Sequence, residues 1–215
     1  YFTYPMPGWS TRWYLDFLQS PAWRLALRNS LIVGVCTTAL ATPLGTLAAL
    51  GLARREFPHR ALVMGLLVSP MVVPLVITAV GVYFFYARIG LSSSLLGLVL
   101  AHTCLATPFV VITVTATLVG FDWSLPRAAA SLGATPWTAL RRVTLPLILP
   151  GVASGALFAF VTSFDEVVVA LFLAGPEQRT LPRQMFTGLR EQISPTILAV
   201  ATLMTALSVL LLGMV

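Results

Sequence analysis

Five stretches of the chain run for the length of a bilayer crossing without an Asp, Glu, Lys or Arg: Ser30 to Leu52, Ala61 to Ala87, Leu95 to Val119, Val143 to Phe164, and Gln192 to Val215. Each reaches the roughly 20 residues that a membrane-spanning helix needs. The pattern predicts an all-α, polytopic transmembrane bundle of five spans. The fourth stretch continues apolar to Gly175, broken only by the adjacent carboxylates Asp165 and Glu166.

Proline and glycine refine this outline. Pro70 and Pro74 lie within the second stretch and each removes a backbone donor, which predicts a broken helix there. Such a break either lines a water-filled path or is a kink packed against neighbouring helices. At the far end of the same stretch, Tyr83 to Tyr86 read as an aromatic belt. Trp23 and Arg24 read as interfacial anchors ahead of the first span. The third stretch holds His102, with no carboxylate within a helical turn, and reads as a residue hydrogen-bonded to a neighbouring helix. Between the third and fourth stretches, Pro126 opens a short helix that Gly133 stops. Thr135 and Pro136 then cap and start a second short helix through "WTALRRV". After Gly175, "TLPRQMFTGLRE" predicts an amphipathic surface helix, apolar through Leu181, Met185 and Leu189 and basic through Arg183 and Arg190.

Composition agrees with a membrane protein. Hydrophobic residues make up 58% of the chain and charged ones 9%, against about a quarter charged in soluble domains; mean hydropathy is +0.91. All thirteen basic residues are arginines. They sit at the ends of apolar stretches, where headgroups attract them, so the basic balance does not point to nucleic acid. Six lie on the side of the loop at 122–146 (Arg54, Arg55, Arg60, Arg127, Arg141, Arg142) and seven on the other, so charge alone does not orient the chain. Without a lysine the chain cannot fill the phosphate-binding motif GxxxxGK[ST]. Cys36 and Cys104 fall in different stretches and read as small apolar residues rather than a metal or disulfide pair. No metal site or cofactor is expected.

Asp165 and Glu166 are the outstanding chemistry. An ionised group in mid-membrane costs on the order of 2.5–3.5 kcal/mol on insertion scales, so such groups pair, face water or take part in function. No base lies within helical reach on the same stretch, and their partner is expected from another helix, another subunit or the cargo. Adjacent helical residues point about 100° apart, so only one of the two faces a narrow path squarely unless the helix breaks there. A structural pairing remains the alternative to a path-lining role.

The loop at 122–146 resembles the coupling loop of ATP-binding cassette (ABC) importer permeases. That pattern is EAA, three residues, Gly, nine residues, Ile, one residue, LP, and Ala128, Ala129, Gly133, Val143, Leu145 and Pro146 fall at its positions. The departure is Arg127 where the family has Glu. Further stretches, among them "SPMVVPLVITAVG", "LAHTCLATPFVV" and "SFDEVVVALFLAGP", resemble the second permease subunit of spermidine/putrescine-type importers.

The resemblance implies a type I permease fold, with residues 1–29 outside, 30–215 as the permease domain, and one amino-terminal span lying upstream of the chain. It implies a coupling knuckle at Ala129, Leu132, Gly133 and Ala134, with Arg127 beside it. It places Arg54 to Arg60 in the cytoplasm of a bacterium whose inner membrane holds the protein. Its partners would be a cytoplasmic ATP-binding subunit dimer that hydrolyses ATP, a second homologous permease, a solute-binding protein outside, and the bilayer. The cargo would be a small cationic solute such as a polyamine, with Asp165, Glu166, Phe164, Pro70, Pro74 and Tyr83 as candidate path residues. Related permeases carry amino acid derivatives, aminophosphonates or ferric iron, and these remain alternative cargoes. An ion-coupled secondary transporter leaves the "RAAASLG" loop without a role.

Overall fold

The computed structural model describes residues 10–54, 57–191 and 194–213. Helices α1 (Arg12–Gln19) and α2 (Pro21–Leu52) open the chain, with Pro21 at the first helical position, where its missing N–H costs nothing. The first span thus begins nine residues earlier than its uncharged core, and the described part of the 1–29 segment is helical. Tyr14 and Asp16 of α1 bond Thr202 and Thr196 in the last helix, α11 (Pro195–Leu212), at 3.0 and 2.6 Å. Trp23 is not an interfacial anchor. It is buried against Phe17, ring centroids 6.0 Å apart, because α1 folds back over it.

The second stretch is broken as expected. α3 (Arg60–Val72) and α4 (Leu75–Ile89) meet at 99°. Pro70 is absorbed within α3, whereas Pro74 forces the break. Its ring pushes the preceding Val73 into extended backbone (ψ 132°), and its own φ of −53° then starts α4. Gly90, at φ +73°, ends α4 in the left-handed conformation that a side chain disfavours. In the aromatic run Tyr83, Phe84 and Phe85 are exposed, but Tyr86 is turned into the core.

α5 (Leu95–Val119) is the central helix, capped by Ser94, whose Oγ accepts the Gly97 amide at 3.0 Å. It packs against α2 and against α8 (Leu145–Phe164). Small residues set that seam. A Cβ on Gly45 would meet Val110 Cβ at 2.6 Å, and one on Gly155 would meet Thr113 Oγ1 at 2.6 Å and the Val110 backbone at 3.0 Å. Gly151 is seated on Thr117 in the same way. In lipid the close approach of backbones, rather than hydrophobic expulsion, drives helix association, so these glycines position the three helices.

Between α5 and α8 lie α6 (Ser124–Ser131), α7 (Pro136–Ala139) and a π-helical turn (Leu140–Thr144). The second element is therefore not a separate short helix. It runs through the π turn into α8, giving one continuous helix Pro136–Phe164. α9 (Val168–Leu173) and α10 (Leu181–Glu191) follow. α10 is the amphipathic helix foreseen, with Leu181 buried and Met185 packed on the core, although Leu189 is 52% exposed. The connection before it is clamped to α2: Asn29 donates to the carbonyls of Glu177 (2.8 Å) and Arg179 (3.0 Å), and Ser30 Oγ accepts the Leu181 amide (2.8 Å).

Among the described residues, four helices are long and apolar enough to cross a membrane, five if the bent α3–α4 pair counts as one span. The ends of α2 and α5, the start of α3 and the 122–146 loop lie at one end of the bundle. The α4–α5 turn lies at the other, where the Ser93 amide bonds the Leu173 carbonyl at 2.9 Å.

Candidate functional site

The two carboxylates sit in a break between α8 and α9. Helix α8 ends with Asp165 as its C-terminal cap, the Asp165 amide bonding the Val161 carbonyl at 3.0 Å, and α9 begins at Val168. Breaking the helix exposes orphan amides on α9 that nothing in hydrocarbon would satisfy. Glu166 satisfies them: Oε1 accepts the Val169 amide at 2.9 Å and Oε2 the Ala170 amide at 3.1 Å. The acid thus works as an internal N-terminal cap, favoured also by the positive end of the short helix.

His102 completes the arrangement. Its Nδ1 pairs with Ser163 Oγ at 2.9 Å, and its Nε2 stands 3.5 Å from Glu166 Oε2. That separation is long for a hydrogen bond, and becomes an ion pair when the imidazole is protonated. Among the described residues it is the one acid–base contact within 4 Å. The expected partner from another helix is therefore a histidine on α5. His102 lies seven residues beyond the start of α5, which puts the break about 10 Å inside that end of the bundle at 1.5 Å per residue.

The break separates the two acids. Glu166 is 7% exposed, whereas Asp165 is exposed on the surface of the chain. Phe164 is turned inward at 4% exposure, stacked on Phe160 with centroids 5.4 Å apart, so its ring is not presented to a solute in this conformation. Tyr83 is 40% exposed on α4, the helix that packs against α9. Pro74 is exposed at the α3–α4 corner and Pro70 half-buried within α3. The structure brings α4 beside the acidic break through its packing on α9.

The 122–146 loop is built at the opposite end. Asp122 Oδ1 accepts the Ser124 amide at 2.8 Å as α6 begins. That bond, with a lesser pull from Arg127, holds the Asp122 carboxyl below the usual range. At the other end of α6 the Ala134 amide bonds the Ala129 carbonyl (3.0 Å) and the Gly133 amide the Ala130 carbonyl (2.9 Å). This pair of bonds is the Schellman arrangement, and Gly133 at φ +85° supplies its left-handed residue. Thr135 then accepts the Thr138 amide at 3.3 Å and starts the next helix.

Between these caps Leu132 projects almost wholly into the open, at 89% exposure, the most exposed large apolar side chain among the described residues. Ala128 is exposed beside it, with Ala129 and Ala134 half-buried behind. Val143 lies in the π turn, half-buried, and Leu145 and Pro146 open α8 on its exposed side. Arg127 does not share the Leu132 tip. It lines the hollows between α6 and the ends of the spans, together with Arg54. Sequence reasoning did not join Arg54 and Arg60 to Arg127, because only the return of the loop beneath α2 and α5 brings them together.

The family model for the binding-protein-dependent transport system inner membrane component matches residues 41–215. The chain is 33% identical over 204 residues to the spermidine/putrescine transport system permease protein PotC of Escherichia coli, covering 95% of this chain and 77% of that protein. It is 36% identical over 203 residues to the putrescine transport system permease protein PotI of the same organism, covering 91% and 72%. Among solved structures, a bacterial ABC transporter involved in the import of the acidic polysaccharide alginate superposes with a TM-score of 0.75 at 16% identity, over 98% of this chain and 83% of that one. The last likeness concerns the fold alone.

Proposed function

The chain belongs to the family of binding-protein-dependent transport system inner membrane components, and from that premise we propose that it forms half of the translocation path of an ABC importer for a small polycation of the polyamine class. The observation that carries the cargo is Asp165. It is an exposed carboxylate at the break between α8 and α9, inside a chain whose similar permeases are named for spermidine and putrescine. An ammonium-bearing chain in passage needs an acid it can meet, and an acid at membrane depth is kept where it faces a water-filled path.

In this reading the 122–146 loop faces the cytoplasm of a bacterial inner membrane and the α1 end faces outward. A partner ATP-binding dimer hydrolyses ATP, a second permease completes the path, and a solute-binding protein delivers the cargo to the outer end. Residues from α2 onward form the membrane domain, with 122–146 as its coupling loop.

Proteoliposomes of the whole complex test the cargo. Asp165→Asn is expected to lower labelled spermidine uptake on the order of tenfold, since a charged hydrogen bond is worth roughly 1.5–3 kcal/mol, with assembly and ATPase activity kept. Unchanged uptake would give Asp165 a structural role and leave the substrate class to the rest of the path. Uptake under an ion gradient without ATP would instead favour a secondary transporter.

Leu132 tests the energy source. A carboxylate at this tip would enter an apolar contact without a partner, at a cost of about 1–3 kcal/mol or more. Leu132→Glu is therefore expected to leave the exposed loop folded while the ATP-binding subunit no longer co-purifies at normal yield and transport is lost. Normal co-purification and uptake would remove Leu132 from the docking contact.

A further inference from the structure

Arg127 is left without a role by the coupling reading, because its side chain is turned back toward the spans rather than to the Leu132 tip. It lines a hollow of about 730 Å³ together with Arg54, from the segment just past α2, and Arg60, the first residue of α3. The apolar wall is made by Phe121 and Trp123, packed edge to face at 5.0 Å. Thr115 Oγ1, buried and with no hydrogen-bond partner, also lines the hollow. No carboxylate among the described residues lines it; Asp122, near Arg127, accepts the Ser124 amide through Oδ1 and offsets the Arg127 charge only weakly.

Three exposed arginines line this one hollow, and their shared positive charge favours an anion there. A phosphate is the matching ligand, because its oxygens accept the paired N–H groups of arginine in the fork geometry. The level of the hollow sets the rest of the ligand. It lies where α2 and α5 end, next to Val119, which is 83% exposed, and beside Trp123, a ring of the kind that settles at a membrane interface. Basic hollows between spans on that face take lipid headgroups.

We propose that Arg54, Arg60 and Arg127 form a binding site for a phosphate group, carried into the hollow by an anionic phospholipid. Because Arg127 belongs to α6 while the other two arginines bracket the α2–α3 turn, the bound headgroup ties the coupling loop to the ends of the spans. The site accounts for an arginine at the position where the coupling-loop pattern has glutamate: a carboxylate there would repel the headgroup.

The test uses the purified complex in nanodiscs of phosphatidylcholine with a minority of phosphatidylglycerol, the lipid retained per complex being read by native mass spectrometry. Arg54→Gln and Arg60→Gln are expected to reduce retained phosphatidylglycerol roughly fivefold each, the effect of about one surface charge on an anionic lipid. Arg141→Gln, on the same face but outside the hollow, is expected to retain it. A second arm titrates inorganic phosphate into discs of phosphatidylcholine alone. Phosphate binding with the same dependence on Arg54 and Arg60 upholds the headgroup chemistry and shows that the acyl chains are dispensable. Equal retention of phosphatidylglycerol in all variants, with no arginine-dependent phosphate binding, overturns the proposal. So does equal retention with loss of the ATP-binding subunit, which would assign the arginines to a protein contact. None of these readouts depends on the cargo, so failure here leaves the polyamine reading intact, and the reverse also holds.

Discussion

Gly155→Leu is expected to abolish assembly of the complex, with little protein recovered as a monodisperse peak on size exclusion from detergent. At this position α8 lies on α5 so closely that even a methyl carbon would stand 2.6 Å from Thr113 Oγ1 and 3.0 Å from the Val110 Cα. The second contact is backbone, which cannot rotate away. Overpacking in an interior costs typically 1–3 kcal/mol when side chains can adjust, and here the helices themselves must separate. Separation would also undo the seat of Gly151 on Thr117, which shares the same seam. Gly65, by contrast, has no atom within 4 Å of its added Cβ, and Gly65→Ala serves as the tolerated control. Normal recovery of Gly155→Leu would mean that α5 and α8 can part by an ångström or more without loss, and that the seam does not hold the bundle.

The second large effect concerns Glu166, and it differs in kind from that of its neighbour. Glu166→Ala is expected to lower the thermal stability of the complex and its yield, because two α9 amides lose their acceptor and His102 loses its neighbouring carboxylate, all in a buried place. A buried polar group left without a partner costs about 1–3 kcal/mol, and the loss of one member of a buried pair reaches roughly 3–5 kcal/mol. Glu166→Gln keeps one acceptor oxygen and an isosteric shape, so it is expected to recover much of the stability. His102→Ala tests the same arrangement from α5, with the smaller loss that follows from keeping the α9 cap. If Glu166→Ala proves as stable as the parent and fails only in uptake, then Glu166 serves the cargo and its place as a cap is incidental. Asp165→Asn is expected to show the opposite profile, a stable complex with weak uptake.

These two acids show what one-dimensional reasoning reaches. Their cost in lipid and the need for a partner elsewhere follow from the residues alone, as does the possibility of a helix break. Which acid turns inward does not follow, because it is decided by His102 on another helix, and tertiary partners across 64 positions leave no periodic mark. Likewise the uncharged stretches give the spans, and Gly133, Thr135 and Pro136 give the caps of the loop, since capping is local chemistry. The 99° corner was legible as a break at Pro70 or Pro74, but its angle depends on the extended Val73 and on what α3 and α4 pack against. The continuity of α7 with α8 was hidden by two prolines, Pro146 and Pro150, that the helix accommodates. Trp23 and Tyr86, read as interfacial by type, are core residues because α1 and α9 cover them.

The unbroken helix from Pro136 to Phe164 is 29 residues long, about 43 Å at 1.5 Å per residue. Pro150 and Gly151 mark its midpoint, and there it rests on α5 through the glycine seats. A helix supported near its centre can act as a lever with arms of about equal length. A push sideways on the Pro136 end is then expected to reach Asp165 with the opposite sign, about a fulcrum set by two residues, Gly151 and Gly155, that carry no side chain.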